Sequence, residues 1–202
     1  MVDVAALALL AGAAAWQPPA KPDLEGEKIL ARFARCAVRG APKDARALID
    51  TAPGSPAELR LIEKFLGKRL GCMELRPFLG SLQFAVRHES MRGAIATRLY
   101  LDMKEEPASA SPGAGRPGAD EGAPAGYAVV RCAVSEDPAA ADRLVRASRL
   151  SAEEAEAVRT LAPLLNRCGR GRGRIDLSGT AIHGWAAEAL YKLRRNGAAK
   201  VN

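Results

Sequence analysis

Arg35-Cys36-Ala37-Val38 recurs as Arg131-Cys132-Ala133-Val134, 96 positions later in the chain. The second cysteines, Cys72 and Cys168, keep the same offset. The same offset of 96 positions also aligns helix breakers, apolar pairs and helix caps. These are Pro42 with Pro138, Leu48-Ile49 with Leu144-Val145, and Ser55 and Glu58 with Ser151 and Glu154. Because cysteines, breakers and caps recur in one register, the sequence predicts an internal duplication, with two copies of one structural unit.

The alignment continues after the second cysteine with a shorter offset. At 91 positions, Gly93 falls on Gly184 and Leu99-Tyr100 on Leu190-Tyr191, while Arg92 falls on His183. Two copies are too few for an open solenoid, which needs three or more to bury its faces. We therefore expect a pair of like units, repeat 1 at residues 21–102 and repeat 2 at residues 127–197, with a short tail at 198–202.

The periodicity inside each unit is helical. Apolar residues recur at helical spacing with charged residues between them, in the stripes Ile29, Leu30, Phe33 and Ala37, and Leu59, Ile62, Leu66 and Leu70. Ser55 with Glu58, and Ser151 with Glu154, have the spacing of capping boxes that begin a helix. The predicted fold class is mainly α, with two homologous helical repeats.

Each repeat also contains one stretch that alternates apolar and polar residues. These stretches are Leu82–Arg87 and Arg174–Leu177, and each predicts a short β-strand before the last helix. Because a lone strand needs a partner, we expect the two strands to pair across a pseudo-two-fold axis.

The ends and the middle of the chain differ from the repeats in composition. Residues 1–20 resemble a cleavable export signal, since Val4 to Trp16 is almost wholly Ala, Leu and Val, although no Lys or Arg precedes it. The alternative for this segment is a buried N-terminal helix. Residues 103–126 are rich in Pro, Gly, Ala and Ser, which predicts a disordered linker.

The four cysteines favour an oxidising compartment, periplasmic or secreted. Symmetry alone does not fix their connectivity. We expect Cys36 to pair with Cys72 and Cys132 with Cys168, because bonds within a repeat need no cooperation between copies. Zinc is the rival explanation, but no CxxC or CxxH spacing is present, so no metal site and no cofactor are predicted.

Candidates for catalysis are few. The chain lacks the Gly-x-Ser-x-Gly, phosphate-loop and His-Glu-x-x-His motifs. His88 and His183 are its two histidines, and they do not align with each other. An acid/base site of His183 with Glu188 and Tyr191 is the enzymatic alternative, whereas a surface histidine on an amphipathic helix is the favoured interpretation. No catalytic residue is predicted.

The net charge of +7 favours anionic partners. Positive charge is densest at Arg170, Arg172 and Arg174, which alternate with glycines and could hold phosphate or an anionic envelope polymer. Nucleic acid is disfavoured because no aromatic residues are interleaved for base stacking.

The repeated Cys-Ala-Val, the Ser-x-x-Glu helix leading to a second Cys, and the closing Gly-x-x-Ala-x-x-Leu-Tyr helix of repeats 1 and 2 resemble uncharacterised exported proteins of GC-rich bacteria. The resemblance implies a periplasmic or secreted location and transfers no activity. The function predicted from the sequence is an exported, non-enzymatic interaction or structural module of the bacterial envelope, with another envelope protein or an anionic polymer as partner and no transmembrane segment.

Overall fold

The computed structural model describes residues 24–73, 88–103, 122–173, 175 and 177–198. The predicted signal at 1–20 lies outside these residues, as does most of the predicted linker. The described part of the chain contains eight α-helices and one short 3-10 helix. The prediction of a mainly helical protein is therefore confirmed.

The first half of the molecule contains α1 to α4. Their bounds are α1 Leu24–Gly40, α2 Pro42–Asp50, α3 Pro56–Arg69 and α4 His88–Leu101, with the 3-10 helix Leu70–Met73 directly after α3. Ser55 begins α3, because its Oγ accepts a hydrogen bond from the Glu58 N–H at 3.2 Å. Proline at the start of α2 and α3 costs no hydrogen bond, since the first helical N–H groups have no partner inside the helix.

The second half contains α5 to α8. Their bounds are α5 Ala125–Glu136, α6 Pro138–Arg146, α7 Ala152–Gly169 and α8 Gly179–Ala198. Asp137 caps α6 by accepting from the Ala140 N–H at 2.8 Å, and Ser151 caps α7 by accepting from the Glu154 N–H at 3.1 Å. Helix α5 begins two residues inside the predicted linker, so residues 125 and 126 are helical.

Helices α4 and α8 form the centre of the molecule and cross at two glycines. A Cβ atom added to Gly93 would lie 2.9 Å from the Cα of Gly184, which is closer than side chains pack. The backbones therefore touch, and this contact explains why glycine occupies the middle of two helices where it ordinarily costs about 1 kcal/mol. Around the crossing, Ile95, Ala187 and Leu190 are fully buried.

Both cysteine pairs lie at disulfide distance, which fits the expected pairing. Cys36 and Cys72 join α1 to the 3-10 helix with an S–S distance of 2.05 Å. Cys132 and Cys168 join α5 to the end of α7 with an S–S distance of 1.99 Å. Each bond fastens the last part of a three-helix segment to its first helix.

The predicted strand at Arg174–Leu177 is wrong, because Ile175 and Leu177 are described and belong to no strand. Both residues are partly buried and pack against the helical core. A Cβ at Gly126 would lie 2.7 Å from Leu177 Cδ2, so Leu177 sits directly on α5. The alternation in sequence thus reflects side chains that cover a helix. The other predicted strand, Leu82–Arg87, lies outside the described residues.

Candidate functional site

Arg92 on α4 is the centre of the first of two buried polar clusters. Its Nε and Nη2 donate to the two carboxylate oxygens of Glu188 at 2.7 and 2.8 Å. Its Nη1 and Nη2 also donate to backbone carbonyl oxygens of Leu48, Ile49 and Thr51. Because the guanidinium is 1% exposed and every donor direction is used, Arg92 has no group left to offer a ligand.

Glu188 on α8 is also fully engaged. Its Oε1 accepts from the Tyr127 hydroxyl at 2.9 Å and from Lys192 Nζ at 2.7 Å. Burial alone would raise the pKa of Glu188, but the hydrogen bond and charge of Arg92 outweigh burial and lower it. Glu58 adds a second carboxylate 3.5 Å from Arg92 Nη1. We call Arg92, Glu188, Glu58, Tyr127 and Lys192 the Arg92 cluster.

His183 on α8 begins a second cluster, partly buried, that is not fully engaged. Its Nδ1 lies 2.9 Å from Glu154 Oε1, and because a carboxylate can only accept, Nδ1 carries the proton. Burial, and next the charge of Arg149, lowers the pKa of His183 to about 3 although Glu27 opposes the shift. The ring is therefore neutral near pH 7, and its Nε2 is an acceptor with no hydrogen-bond partner among the described residues.

Arg149 connects Glu154 to a second carboxylate. It lies in the loop between α6 and α7, where its Nη1 contacts Glu154 and its Nε and Nη2 each donate to Glu27 at 3.2 Å. Thr180 completes the arrangement by donating to Glu27 Oε1 and accepting from Arg149 Nη2, both at 2.9 Å. We call His183, Glu154, Arg149, Glu27 and Thr180 the His183 cluster.

A cavity of about 120 Å³ adjoins the His183 cluster and lies between α1, α4 and α8. Four members of the cluster line it: Glu27, Arg149, Thr180 and His183. Its apolar walls come from Leu30, Ala31, Ala34, Ala94 and Leu101, and we call it the α1–α4 cavity. It thus combines an apolar surface with a few converging polar groups, which is typical of small-molecule sites.

The lining of the α1–α4 cavity follows both helices. A separate groove is lined by Val38 near the end of α1 and by Leu99 near the end of α4, so the two helices run side by side in the same direction. Along α1, the cavity lining extends from Glu27 to Arg35, a rise of about 12 Å at 1.5 Å per residue. Glu27 therefore marks one end of the cavity, and Arg35 and Leu101 mark the other.

The predicted acid/base group is not assembled as the sequence suggested. His183 bonds to Glu154, whereas Glu188 belongs to the Arg92 cluster, and Tyr191 packs near Arg195, whose guanidinium carbon lies 5.5 Å from its ring centre. Five residues along a helix turn the side chain by about 140°, so His183 and Glu188 point to different faces. The expectation of a surface histidine is wrong as well, since His183 is 3% exposed.

The basic segment after α7 is only partly described. Arg170 and Arg172 are exposed, and the glycines that follow each of them have positive φ angles of 77° and 75°. Arg174 lies outside the described residues. No hydrogen bond from the side chain of Arg170 or Arg172 to the described residues is present, so both guanidinium groups face solvent.

One cluster has the composition of a metal site. The sulfur atoms of Cys132 and Cys168 and a carboxylate oxygen of Glu136 lie within 4.8 Å of one another. Both sulfurs are joined in the disulfide, however, and a disulfide offers no thiolate to a metal ion. Arg167 instead pairs with Glu136.

Sequence reasoning missed the role of Glu58 and Glu154, which it took for ordinary cap residues. Their carboxylates accept from the N–H groups of Gly54 and Leu150, one residue before each cap, and are buried. The alignment of Arg92 with His183 was the sequence signal that could have indicated this role. Arg92 contacts Glu58 and His183 contacts Glu154, so each aligned residue pairs with the capping glutamate of its own half.

Among the described residues, no helix is both long and apolar enough to cross a membrane. No protein-family model, curated protein or solved structure matches the chain.

Proposed function

We propose that this protein is an exported, non-enzymatic interaction module of the bacterial envelope that binds a small molecule in the α1–α4 cavity. The observation that carries the proposal is the unpartnered Nε2 of His183, an acceptor on a side chain that is 3% exposed and lines the polar end of an otherwise apolar cavity. Because this acceptor is free to receive a hydrogen bond inside the cavity, a ligand that donates to it gains affinity.

The dimensions of the cavity support a small ligand. An engineered protein cavity of about 150 Å³ accepts benzene, and the α1–α4 cavity has a volume of about 120 Å³. Its walls are held by the central helices and by the disulfide of α1, so little ordering is needed on binding.

Export is supported by the two disulfides, because such bonds persist in oxidising compartments and are rare in the cytosol. The composition of residues 1–20 agrees with a secretory signal. The envelope is accordingly the compartment in which a ligand would be met.

We further propose that the two halves derive from one duplicated unit. The loops before α3 and α7 support this, because Gly54 and Leu150 both have positive φ, 80° and 61°, although leucine rarely adopts it. In both loops the N–H of that residue donates to the capping glutamate. The equal spacing of the two disulfides, 36 residues each, agrees with a common origin.

A cavity-filling substitution tests the binding function. Ala94→Leu places extra carbon atoms in the cavity, whereas Ala155→Leu makes the same change on the exposed face of α7. With 1-hexanol as probe, calorimetry should show binding to the wild type and to Ala155→Leu but not to Ala94→Leu. Equal binding to all three proteins would refute the cavity as the site.

Acid–base catalysis is the second candidate, favoured by the orientation of His183. A histidine whose Nδ1–H is held by a carboxylate presents Nε2 as a general base, here a weak one because burial lowers its pKa to about 3. In the hydrolysis of p-nitrophenyl acetate, Nε2 would take a proton from water, the water oxygen would attack the carbonyl, and p-nitrophenolate would leave. Equal rates for the wild type and His183→Ala would exclude this candidate.

A further inference from the structure

We propose that the α1–α4 cavity takes a short-chain aliphatic amine, with the ammonium group at Glu27 and His183 and the hydrocarbon chain directed toward Leu101. The inference rests on the proposed binding function and specifies the chemical class of the ligand. Three features of the cavity carry it: the charge at its polar end, the kind of hydrogen-bonding group offered there, and the run of apolar side chains along α1.

The charge of the polar end favours a cation. Glu27 and Glu154 contribute two negative charges, Arg149 contributes one positive charge, and the imidazole of His183 is neutral. The His183 cluster therefore carries a net charge of about −1 next to the apolar walls. In a site of low dielectric constant an uncompensated charge attracts an opposite one more strongly than it would in water.

The hydrogen-bonding groups favour a donor. His183 Nε2 is an acceptor without a partner in the described part of the chain, and Glu27 is a carboxylate on the cavity lining. An ammonium group has three donors and no acceptor, so it can serve both groups at once. Arg149 directs Nε and Nη2, and Thr180 directs its hydroxyl, to Glu27, while Arg149 Nη1 lies against the carboxylate of Glu154.

The length of the cavity favours a chain rather than a ring. Its lining runs about 12 Å along α1, so its apolar contacts are spread along the helix rather than gathered around one point. Leu30, Ala34 and Ala94 supply apolar contact along this path. Each methylene buried there would leave water for an apolar surface, which favours the binding of a hydrocarbon chain.

The opposite end of the cavity does not reverse this preference. Arg98 is paired with Asp102, so its charge is already compensated. Arg35 is exposed, and water and salt screen an exposed charge. A ligand with its carboxylate at the Glu27 end of the cavity would be repelled by Glu27 and Glu154.

Three probes of equal chain length test the class of ligand on the full mature chain: hexylamine, 1-hexanol and hexanoate. We expect hexylamine to bind most tightly by calorimetry and hexanoate most weakly. Glu27→Gln should weaken hexylamine about tenfold and weaken 1-hexanol much less, because only hexylamine loses a bond between two opposite charges. Glu25→Gln, the same change at an exposed position of α1, should change neither.

A chemical variant keeps the test valid even if Glu27→Gln fails to fold. Hexyltrimethylammonium keeps the charge and chain but has no N–H donor, so it should bind the wild type at least tenfold more weakly than hexylamine. If hexanoate binds best, or if hexylamine gains nothing over 1-hexanol, the amine assignment is overturned while the cavity remains the site. If none of the probes binds, the proposed function fails with it.

Discussion

Arg92 on α4 and Glu188 on α8 form a bidentate pair, with Nε and Nη2 donating at 2.7 and 2.8 Å, at a point where both side chains are almost completely buried. Two charges removed from water in this way cost several kcal/mol each, which their attraction and additional hydrogen bonds offset. We therefore expect the pair to contribute less to net stability than to the choice of one arrangement of the two central helices.

Removing one partner of the Arg92–Glu188 pair should destabilise the protein more than removing both. Arg92→Met leaves Glu188 buried without its principal partner, and we expect the free energy of unfolding to fall by about 3–5 kcal/mol. Replacing both residues, as Arg92→Met with Glu188→Leu, should recover much of the loss. Urea denaturation measures both. Arg98→Met is the control, since its exposed pair with Asp102 is worth at most about 1 kcal/mol.

The crossing of α4 and α8 should reject even one methyl group. In Gly93→Ala the new Cβ would lie 2.9 Å from a backbone atom of Gly184, so we expect a loss of about 1–3 kcal/mol. Gly67→Ala in α3 meets nothing within 4 Å and should stabilise the protein by about 0.5–1 kcal/mol. Thermal unfolding of the two variants should move in opposite directions, and equal shifts would contradict the contact.

Each disulfide should stabilise the folded chain by a similar amount, since both close loops of the same sequence separation, 36 residues. Replacing Cys36 and Cys72 by serine, or Cys132 and Cys168, should cost about 2–5 kcal/mol in either case. Denaturation of the two variants under oxidising conditions checks this. A loss below about 1 kcal/mol for one of them would show that the denatured chain is already restricted there.

His183 should make the protein less stable in weak acid. Its pKa in the folded state is lowered to about 3, below the ordinary value of about 6.5 in an unfolded chain. Between these two pH values the unfolded state binds more protons, so stability falls as the pH falls, by about 1.4 kcal/mol per unit at most. His183→Gln should reduce this slope below pH 6. His88→Gln, an exposed control on α4, should keep the wild-type slope.

The basic segment after α7 should contribute to retention on heparin. Replacing Arg170, Arg172 and Arg174 by glutamine should lower the salt concentration at which the protein elutes, because fewer counterions are released on binding. The matched control removes three exposed positive charges from α3, at Arg60, Lys64 and Lys68. If the two variants elute at the same salt concentration, polyanion binding through this segment is disproved.

The helical class and the helix starts could be predicted because they depend on local pattern. Apolar spacing indicated the stripes, and Ser55 and Ser151 begin α3 and α7 where the capping boxes predicted. The strand at Arg174–Leu177 failed because an alternating pattern does not say what the apolar side chains cover; Leu177 covers α5.

The candidate site could not be predicted in the same way, because it depends on contacts between distant segments. Glu27 and Thr180 are 153 residues apart in sequence and 2.9 Å apart in space. Nor does the sequence show burial, which turns His183 from an ordinary titrating side chain into a neutral acceptor. Its nearest carboxylate, Glu154, is 29 residues away, whereas Glu188 on the same helix belongs to another cluster.

In each polar cluster, the arginine of one half pairs with a carboxylate from the other half. Glu27 from α1 neutralises Arg149 in the second half, and Glu188 from α8 neutralises Arg92 in the first. A fragment that ended at residue 103 would bury Arg92 without Glu188, and a fragment that began at residue 122 would hold Arg149 without Glu27. Each half is thus an obligate complement of the other, and the chain should unfold in a single cooperative transition.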